Sequence, residues 1–358
     1  KRNMAYQLNQ KIRNLVPYEP ISGTYDIRLD ANESYFTLPD EIYEKALKAA
    51  LSTQLNRYPD PAAKGLVRAF AEFYHIDPEY VTAGNGSDEL ISLIVSAFFE
   101  PEDELVTVVP DFSMYQFYTG VYGVKATAFP KKEDLTLDTV RLSAYLKSGG
   151  ARGVIFSNPC NPTSLCISRR HLLQMIREVP NCLFVVDEAY MDFAEESILS
   201  VAHEYPNLIV LRTCSKAIGL AGLRLGFAIA GETITRALHA VKSPYNVNTL
   251  SQCVGTAVLS EPMYLIRCNE QIISAREALY KGLLKLYAKF RIFDTIYEPT
   301  TNFVFVKTKL AKDIYDKLLA RSIAVRFMGG YLRITAGTKE EHKRLFEALE
   351  EIAKELAL

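Results

Sequence analysis

The chain has 358 residues, with 41 lysines and arginines against 42 aspartates and glutamates, and apolar residues make up 49% of it. This near-neutral balance argues against disorder and a nucleic-acid surface, leaves a small molecule as the expected partner, and with the length suggests two domains. No apolar run reaches the roughly 18 residues of a membrane span, no signal-peptide stretch opens the sequence, and the six cysteines form no CxxC pair or zinc-spaced cluster, so a cytoplasmic protein with reduced thiols and no metal is expected.

In chain order, the first 30 residues carry the turn formers Pro17, Pro20 and Gly23 and read as an arm lying on the rest. A large α/β unit then follows to residue 245. Between residues 87 and 230, apolar strand candidates (Leu105–Val109, Val124–Phe129, Gly153–Ser157, Leu183–Val186, Leu208–Arg212 and Leu225–Ala230) alternate with helix-period segments such as Ser87–Phe99, Thr139–Lys147 and Ser168–Arg177. The alternation predicts a mostly parallel, buried sheet whose ligands bind at the carboxyl ends of its strands. From residue 246 a smaller α+β unit is expected: a helical stretch through Ala275–Lys289, then Asn302–Lys307, a helix near Ala311–Arg321, Tyr331–Thr335 and the helix Lys339–Leu356.

Four segments at predicted strand ends carry chemistry. Thr82-Ala-Gly-Asn-Gly-Ser-Asp-Glu89 places Gly86, Ser87 and Asp88 at a helix N-terminus, where free amides and the dipole suit a phosphate, or where a turn simply precedes a capped helix. The carboxylates of Asp88 and Glu89 would have to point away from such an anion. Ser157-Asn-Pro-Cys-Asn-Pro-Thr-Ser164 holds Asn161 extended before a proline with its amide aimed into the strand-end crevice, although Asn-Pro is also a common turn. Asp187 follows an apolar strand, where a carboxylate needs a cation or serves as a helix cap; Tyr190 lies three residues on, and Glu188 reads as helix-start charge. Thr213-Cys-Ser-Lys-Ala-Ile-Gly-Leu-Ala-Gly-Leu-Arg224 puts Lys216 beside Ser215 and near Arg224. Alone, Lys216 would read as a solvated loop lysine; beside anion-binding groups its amine suits an aldehyde cofactor.

In this order the four segments resemble the fold-type-I aminotransferases that use pyridoxal phosphate (PLP), over essentially the whole chain. Within them the histidinol-phosphate aminotransferase group is the most similar, on Leu15-Val-Pro-Tyr18, Leu29-Asp-Ala-Asn-Glu33, Asn56-Arg-Tyr-Pro-Asp60, Pro110-Asp-Phe-Ser-Met-Tyr115 and Leu332-Arg-Ile-Thr-Ala-Gly-Thr338. The resemblance implies a large domain with a mostly parallel sheet and a smaller α+β domain. It also implies a PLP Schiff base on Lys216, which shuttles the proton, with Asp187 on the ring nitrogen, Asn161 and Tyr190 on the phenolic oxygen and Phe112 stacked on the ring. Gly86, Ser87, Asp88, Ser215 and Arg224 would surround the phosphate, joined by Tyr58 from the second subunit of a homodimer, and Thr213 would also bind the cofactor. Arg333 would clamp a carboxylate, and Tyr18, Asn32 and Arg326 would meet the distal end of a phosphorylated substrate.

The implied reaction is ping-pong transfer of the amino group of L-histidinol phosphate to 2-oxoglutarate, a step of histidine biosynthesis. A threonine-phosphate decarboxylase, an aromatic aminotransferase and a non-catalytic PLP-binding regulator are the alternatives. The sequence departs from the family pattern at Ser164, where glycine is usual, at Asn32-Glu-Ser-Tyr35, which lacks the common proline, and in the short stretch between Arg326 and Arg333.

Overall fold

Runs of β-branched and aliphatic residues make strands that can be buried on both faces. In the computed structural model, which describes residues 6–13, 15 and 20–356, the strands in chain order are β1 (Ile27–Leu29), β2 (Val81–Gly84), β3 (Glu104–Val109), β4 (Lys125–Pro130), β5 (Gly153–Ser157), β6 (Leu183–Asp187), β7 (Leu208–Thr213), β8 (Gly226–Ala230), β9 (Thr295–Ile296), β10 (Phe303–Lys307), β11 (Ile323–Phe327) and β12 (Tyr331–Thr335). Each strand expected in the large unit lies within one residue of its expected bounds.

The first sheet has the order β2-β8-β7-β6-β5-β3-β4. It is parallel from β7 through β6, β5 and β3 to β4, and β8 alone runs antiparallel, to β7 on one side and β2 on the other. Alternate side chains of one strand enter opposite cores, as a period of two requires: Val154, Phe156, Val186 and Val210 pack into one, Ile155, Val185, Ile209 and Leu211 into the other. Helix Arg169–Glu178 covers the first face and helix Ser87–Phe98 the second.

This topology delivers the site. The carboxyl ends of β2, β3, β5, β6 and β7 open on one edge, and the inverted β8 brings its amino end to the same edge, with Gly226 opposite both Thr213 and Gly84. The single β7–β8 connection therefore carries both Lys216 and Arg224 to that edge.

Under the same edge lies a buried ionic cluster. Arg212 Nη2 is 3.0 Å from Glu188 Oε2 and its Nη1 is 2.9 Å from Asp192 Oδ1, with the guanidinium 4.9 Å from the Tyr74 ring centroid. Glu188 is thus no helix-start charge, as the sequence suggested. The β6–β7 register sets Asp187 beside Leu211, so the next residue of each strand faces its opposite charge, and Ser197 Oγ and Ile198 N complete the carboxylate's hydrogen bonds. Removing one partner strands a buried charge at a cost of about 3–5 kcal/mol. Arg212→Met is expected to lower stability by that amount, read as a drop in the urea unfolding midpoint, whereas the exposed Arg236→Met changes it little.

The second sheet, β1-β11-β12-β10-β9, is antiparallel apart from the parallel β1–β11 pair. Helices Pro262–Phe290, Ala311–Leu319 and Lys339–Glu355 pack on it around Leu279, Leu283, Val304, Val306 and Leu345. Two features differ from the expected division. The arm is not merely laid on the rest, since its residues 27–29 form an integral strand. The boundary after residue 245 does not coincide with a break in packing, because helix Thr249–Leu259 lies against helices Asp40–Leu51 and Lys64–Tyr74 and puts Val258 and Leu259 into the large-sheet core.

Candidate active site

A cavity of about 400 Å³ lies between the carboxyl ends of the large-sheet strands and the edge of the second sheet. Its lining includes Ser87, Asp88, Phe112, Asn161, Asp187, Tyr190, Thr213, Ser215, Lys216 and Arg224 from the first unit, and Asn32, Arg326 and Arg333 from the second sheet and its approach. Residues remote in sequence are brought together because each follows or sits on a strand that ends there.

One end of the cavity suits an anion. Gly86 has φ +86°, and a Cβ there would stand 2.8 Å from Arg224 Nη2; a Cβ on Gly226 would stand 2.3 Å from the amide nitrogen of Ser87. Both glycines keep the N-terminus of helix Ser87–Phe98 bare, where free amides and the dipole attract negative charge. Thr213 Oγ1 is 3.0 Å from Ser215 Oγ, and Arg224, in the left-handed region at φ +53°, turns its guanidinium toward the same place.

Asp88 does not turn away as the sequence suggested. It lines the cavity with Oδ2 3.6 Å from Arg224 Nη2, and burial pushes its carboxyl up against the opposing pull of Arg224 and Lys216. Glu89 does turn away, accepting from Asn85 N at 2.6 Å and Asn246 Nδ2 at 2.8 Å.

The floor holds an acid. Asp187, buried at the end of β6, accepts from Tyr115 Oη at 2.8 Å and from Ala189 N at 3.0 Å. Burial pushes its carboxyl up to about 7 despite both hydrogen bonds, and no cation pairs with it among the described residues. Lys216 Nζ donates to Ala31 O at 3.1 Å and lies 5.8 Å from the Tyr190 ring centroid. Phe112 presents its ring at the β3 end, edge-to-face with Tyr115 at 5.5 Å.

The opposite wall is the second sheet. Arg333 Nη1 donates to Asn161 Oδ1 at 2.6 Å and Nη2 to Asp30 O at 2.8 Å, so the guanidinium links β12 to the loop after β5. Arg326, on β11, pairs in register with Arg333. Asn32, at φ +54°, donates from Nδ2 to Tyr190 Oη at 2.8 Å, and Thr335 Oγ1 donates to Asn32 Oδ1 at 3.1 Å. Ser164 also bridges the units. It occupies φ +64°, where glycine is less strained, and its Oγ accepts from Thr300 N at 3.0 Å and Thr301 N at 3.1 Å. The hydroxyl that replaces the usual glycine hydrogen thus ties the β5 loop to the turn before β10.

One expected residue stands apart from this cavity. Tyr58 is 81% exposed and stacks on Tyr245 with ring centroids 4.6 Å apart. Tyr18 lies outside the described residues. Sequence reasoning gave no role to Tyr115, although it stands three residues past Phe112 in a segment already singled out, nor to the Arg28–Asp30 pair, whose guanidinium donates to both carboxylate oxygens at 2.9 and 3.0 Å on the cavity wall. The opposite charges of Arg28 and Asp30 two residues apart were the available signal.

The donor set suits PLP. A glycine-cleared helix N-terminus with Ser215 and Arg224 matches a phosphate, a buried carboxylate without a cation matches a protonated ring nitrogen, and a lysine amine in the same cavity matches an aldehyde.

Residues 24–349 match the family described as aminotransferase class I and II. The chain is 39% identical to the histidinol-phosphate aminotransferase of Clostridium novyi over 345 residues, 95% of each protein. Among solved structures, that of histidinol-phosphate aminotransferase from Sinorhizobium meliloti in complex with pyridoxal-5'-phosphate superposes with a TM-score of 0.88 at 23% identity, covering 99% of this chain and all of that one. L-threonine-O-3-phosphate decarboxylase from Porphyromonas gingivalis superposes at 0.74 and 20% identity, covering 92% and 99%. At these identities the two superpositions speak for the fold.

Proposed function

The chain belongs to the class I and II aminotransferases, and on that premise we propose that it is a PLP enzyme that moves the amino group of L-histidinol phosphate to 2-oxoglutarate. The observation that carries this reading is the 39% identity to a histidinol-phosphate aminotransferase across 95% of both chains, together with a cavity that holds a lysine, a cation-seeking carboxylate and more than one arginine.

Ser87, Thr213, Ser215 and Arg224 would hold the cofactor phosphate, with the amides after Gly86. Asp187 would hold a proton on the ring nitrogen, Asn161 and Tyr190 would face the phenolic oxygen, and Phe112 would cover the ring. PLP, when bound, supplies an aldehyde for the amino group and a ring that draws electrons from the substrate carbon.

With PLP in place, Lys216 Nζ would be the group that takes up and gives back the proton of the carbon bearing the amino group. That work requires a neutral amine at the moment of transfer. Tyr115 and the Ala189 amide orient Asp187, so its carboxylate keeps one direction through both halves of the reaction. Asn32 does the same for the Tyr190 hydroxyl.

Histidinol phosphate has no α-carboxylate, so Arg333 serves the carboxylate of glutamate and 2-oxoglutarate, as a planar guanidinium can. Arg326, Asn32 and Tyr18 meet the phosphate of the other substrate. Losing a charged hydrogen-bonding pair costs about 1.5–3 kcal/mol, or roughly 10- to 100-fold. Arg333→Lys is expected to raise KM for 2-oxoglutarate by that factor and to change KM for histidinol phosphate less than threefold or so, read from steady-state kinetics with each substrate varied.

We place the enzyme in the cytoplasm as a homodimer. All six cysteines are free thiols, and no helix among the described residues is long and apolar enough to cross a membrane. Exposed Leu47, Leu51, Leu55, Tyr58 and Tyr245 support a face that a second copy covers, from which Tyr58 reaches the partner's phosphate site. Mixing inactive Lys216→Ala and weakened Tyr58→Ala subunits tests this, because a hybrid dimer contains one site with both defects and one with neither. Activity that rises above that of either parent is the expected result, and no rise on subunit exchange counts against the shared site.

The substrate assignment is tested by assaying glutamate formation with histidinol phosphate as donor. Carbon dioxide released from threonine phosphate without any oxo acid would instead identify a decarboxylase.

A further inference from the structure

The residue after β4, Lys131, is a buried lysine that the proposed transamination does not use. Its side chain is 5% exposed, and Nζ donates to Cys160 Sγ at 2.8 Å and to Pro110 O at 2.9 Å. That separation is ordinary between nitrogen and oxygen but close for nitrogen and sulfur, since sulfur is the larger atom. The carboxylate of Asp111 lies 4.0 Å from the same amine, and Ser157 Oγ donates to it. A cavity of about 310 Å³, distinct from the one holding Lys216, is lined by Lys131, Cys160 and Asp111, so a small oxidant has room to reach the amine and the thiol together.

We propose that Lys131 and Cys160 form a reversible N–O–S cross-link with dioxygen as the oxidant. The ammonium first passes one proton to Asp111 or water. Nζ and Sγ then each bond to the same oxygen atom, the O–O bond breaks, and the other oxygen leaves as water with the thiol hydrogen and one amine hydrogen. Nitrogen and sulfur each give up two electrons, which together make the four that dioxygen accepts. Two equivalents of a dithiol reverse the step, regenerating amine and thiol and releasing the bridging oxygen as water.

The link bears on the amino-transfer site through its neighbours. Cys160 immediately precedes Asn161, whose backbone amide donates to Ser157 Oγ at 3.0 Å, and Asp111 immediately precedes Phe112. Cross-linking pins the end of β4 to this loop and removes the positive charge beside the Asp111 carboxylate, which then sits buried without its cation. Turnover is lower in the linked form and recovers on reduction.

The test exposes the PLP-loaded enzyme to dioxygen, or keeps it anaerobic with dithiothreitol, and maps its peptides by mass. The expected product joins the Lys131 and Cys160 peptides with a gain of one oxygen and a loss of two hydrogens. It disappears with dithiothreitol, is absent from Cys160→Ser and Lys131→Arg, and persists in Cys166→Ser, whose thiol lines the same cavity. Oxygenated enzyme should turn over several-fold more slowly than reduced enzyme, and Cys160→Ser should lose that sensitivity. Oxidation of Cys160 alone, a link without oxygen, no link, or a linked enzyme of undiminished turnover would each overturn the proposal. The mass readout is independent of which amino donor the enzyme prefers, so it stands or falls apart from the substrate assignment.

Discussion

Replacing Lys216 with alanine lowers transamination by about 10⁴-fold or more, the upper range for removing a positioned acid–base group, because the same side chain also anchors the cofactor. The fold does not depend on this amine. Its one hydrogen bond among the described residues is the 3.1 Å contact with Ala31 O, so the variant should unfold within about 1 kcal/mol of the parent. Lys216→Arg sharpens the test: arginine refills the cavity with a cation but stays protonated at any accessible pH. It should be as inactive as alanine, and a small primary amine added to the alanine variant should restore part of the rate. An alanine variant that keeps a tenth of the parent activity would remove Lys216 from the proton path.

Asp187→Asn produces the second large effect, and its two readouts have opposite signs. Without its carboxylate the site cannot hold a proton on the ring nitrogen, and turnover should fall by about 10²–10³-fold, as when a preorganised charge partner is lost. In the cofactor-free protein the same change should stabilise.

Burial raises the Asp187 carboxyl to about 7 from an ordinary 3.8, so between these values the folded form binds the proton more tightly than the unfolded chain. Stability therefore falls as pH rises through that window, and above it the full cost of burying the charge remains. The neutral amide carries no such cost. Cofactor-free Asp187→Asn should melt higher than the parent at pH 8, by up to a few kcal/mol of stability, and the advantage should vanish near pH 4. With PLP bound, the ring cation offsets the burial cost and the parent regains the lead. Melting curves at both pH values, with and without PLP, check the pattern.

Much of this architecture was legible because the large sheet is buried on both faces. Continuous Val/Ile/Leu runs such as those of β5, β6 and β7 mark strands whatever their partners, and the residues that follow them must lie at the carboxyl edge. Local pattern could not show pairings made across the chain. Ile27–Leu29 is too short to read as a strand, and it exists because Ile323–Phe327 lies parallel to it. The inverted β8 was invisible for the same reason, although it explains how Arg224 reaches the anion end.

The site shows the same division. Lys216, Asp187 and Asn161 could be singled out in the sequence because each stands at or just past the end of an apolar strand. The Asn32–Tyr190 and Arg333–Asn161 hydrogen bonds depend on residues 158 and 172 positions apart meeting across two sheets. Glu188 was misread because its charge suited a helix start, while the arginine that claims it stands on the neighbouring strand.

The most direct test is a half-reaction without any oxo acid. Enzyme loaded with PLP is mixed with stoichiometric histidinol phosphate, glutamate, phenylalanine or threonine phosphate, and the visible absorbance of the lysine-bound cofactor is followed. Rapid bleaching by histidinol phosphate and by glutamate, recovery when 2-oxoglutarate is added, and slower bleaching by phenylalanine are expected. Bleaching by phenylalanine alone, or an unchanged spectrum with carbon dioxide released from threonine phosphate, would contradict the proposed reaction.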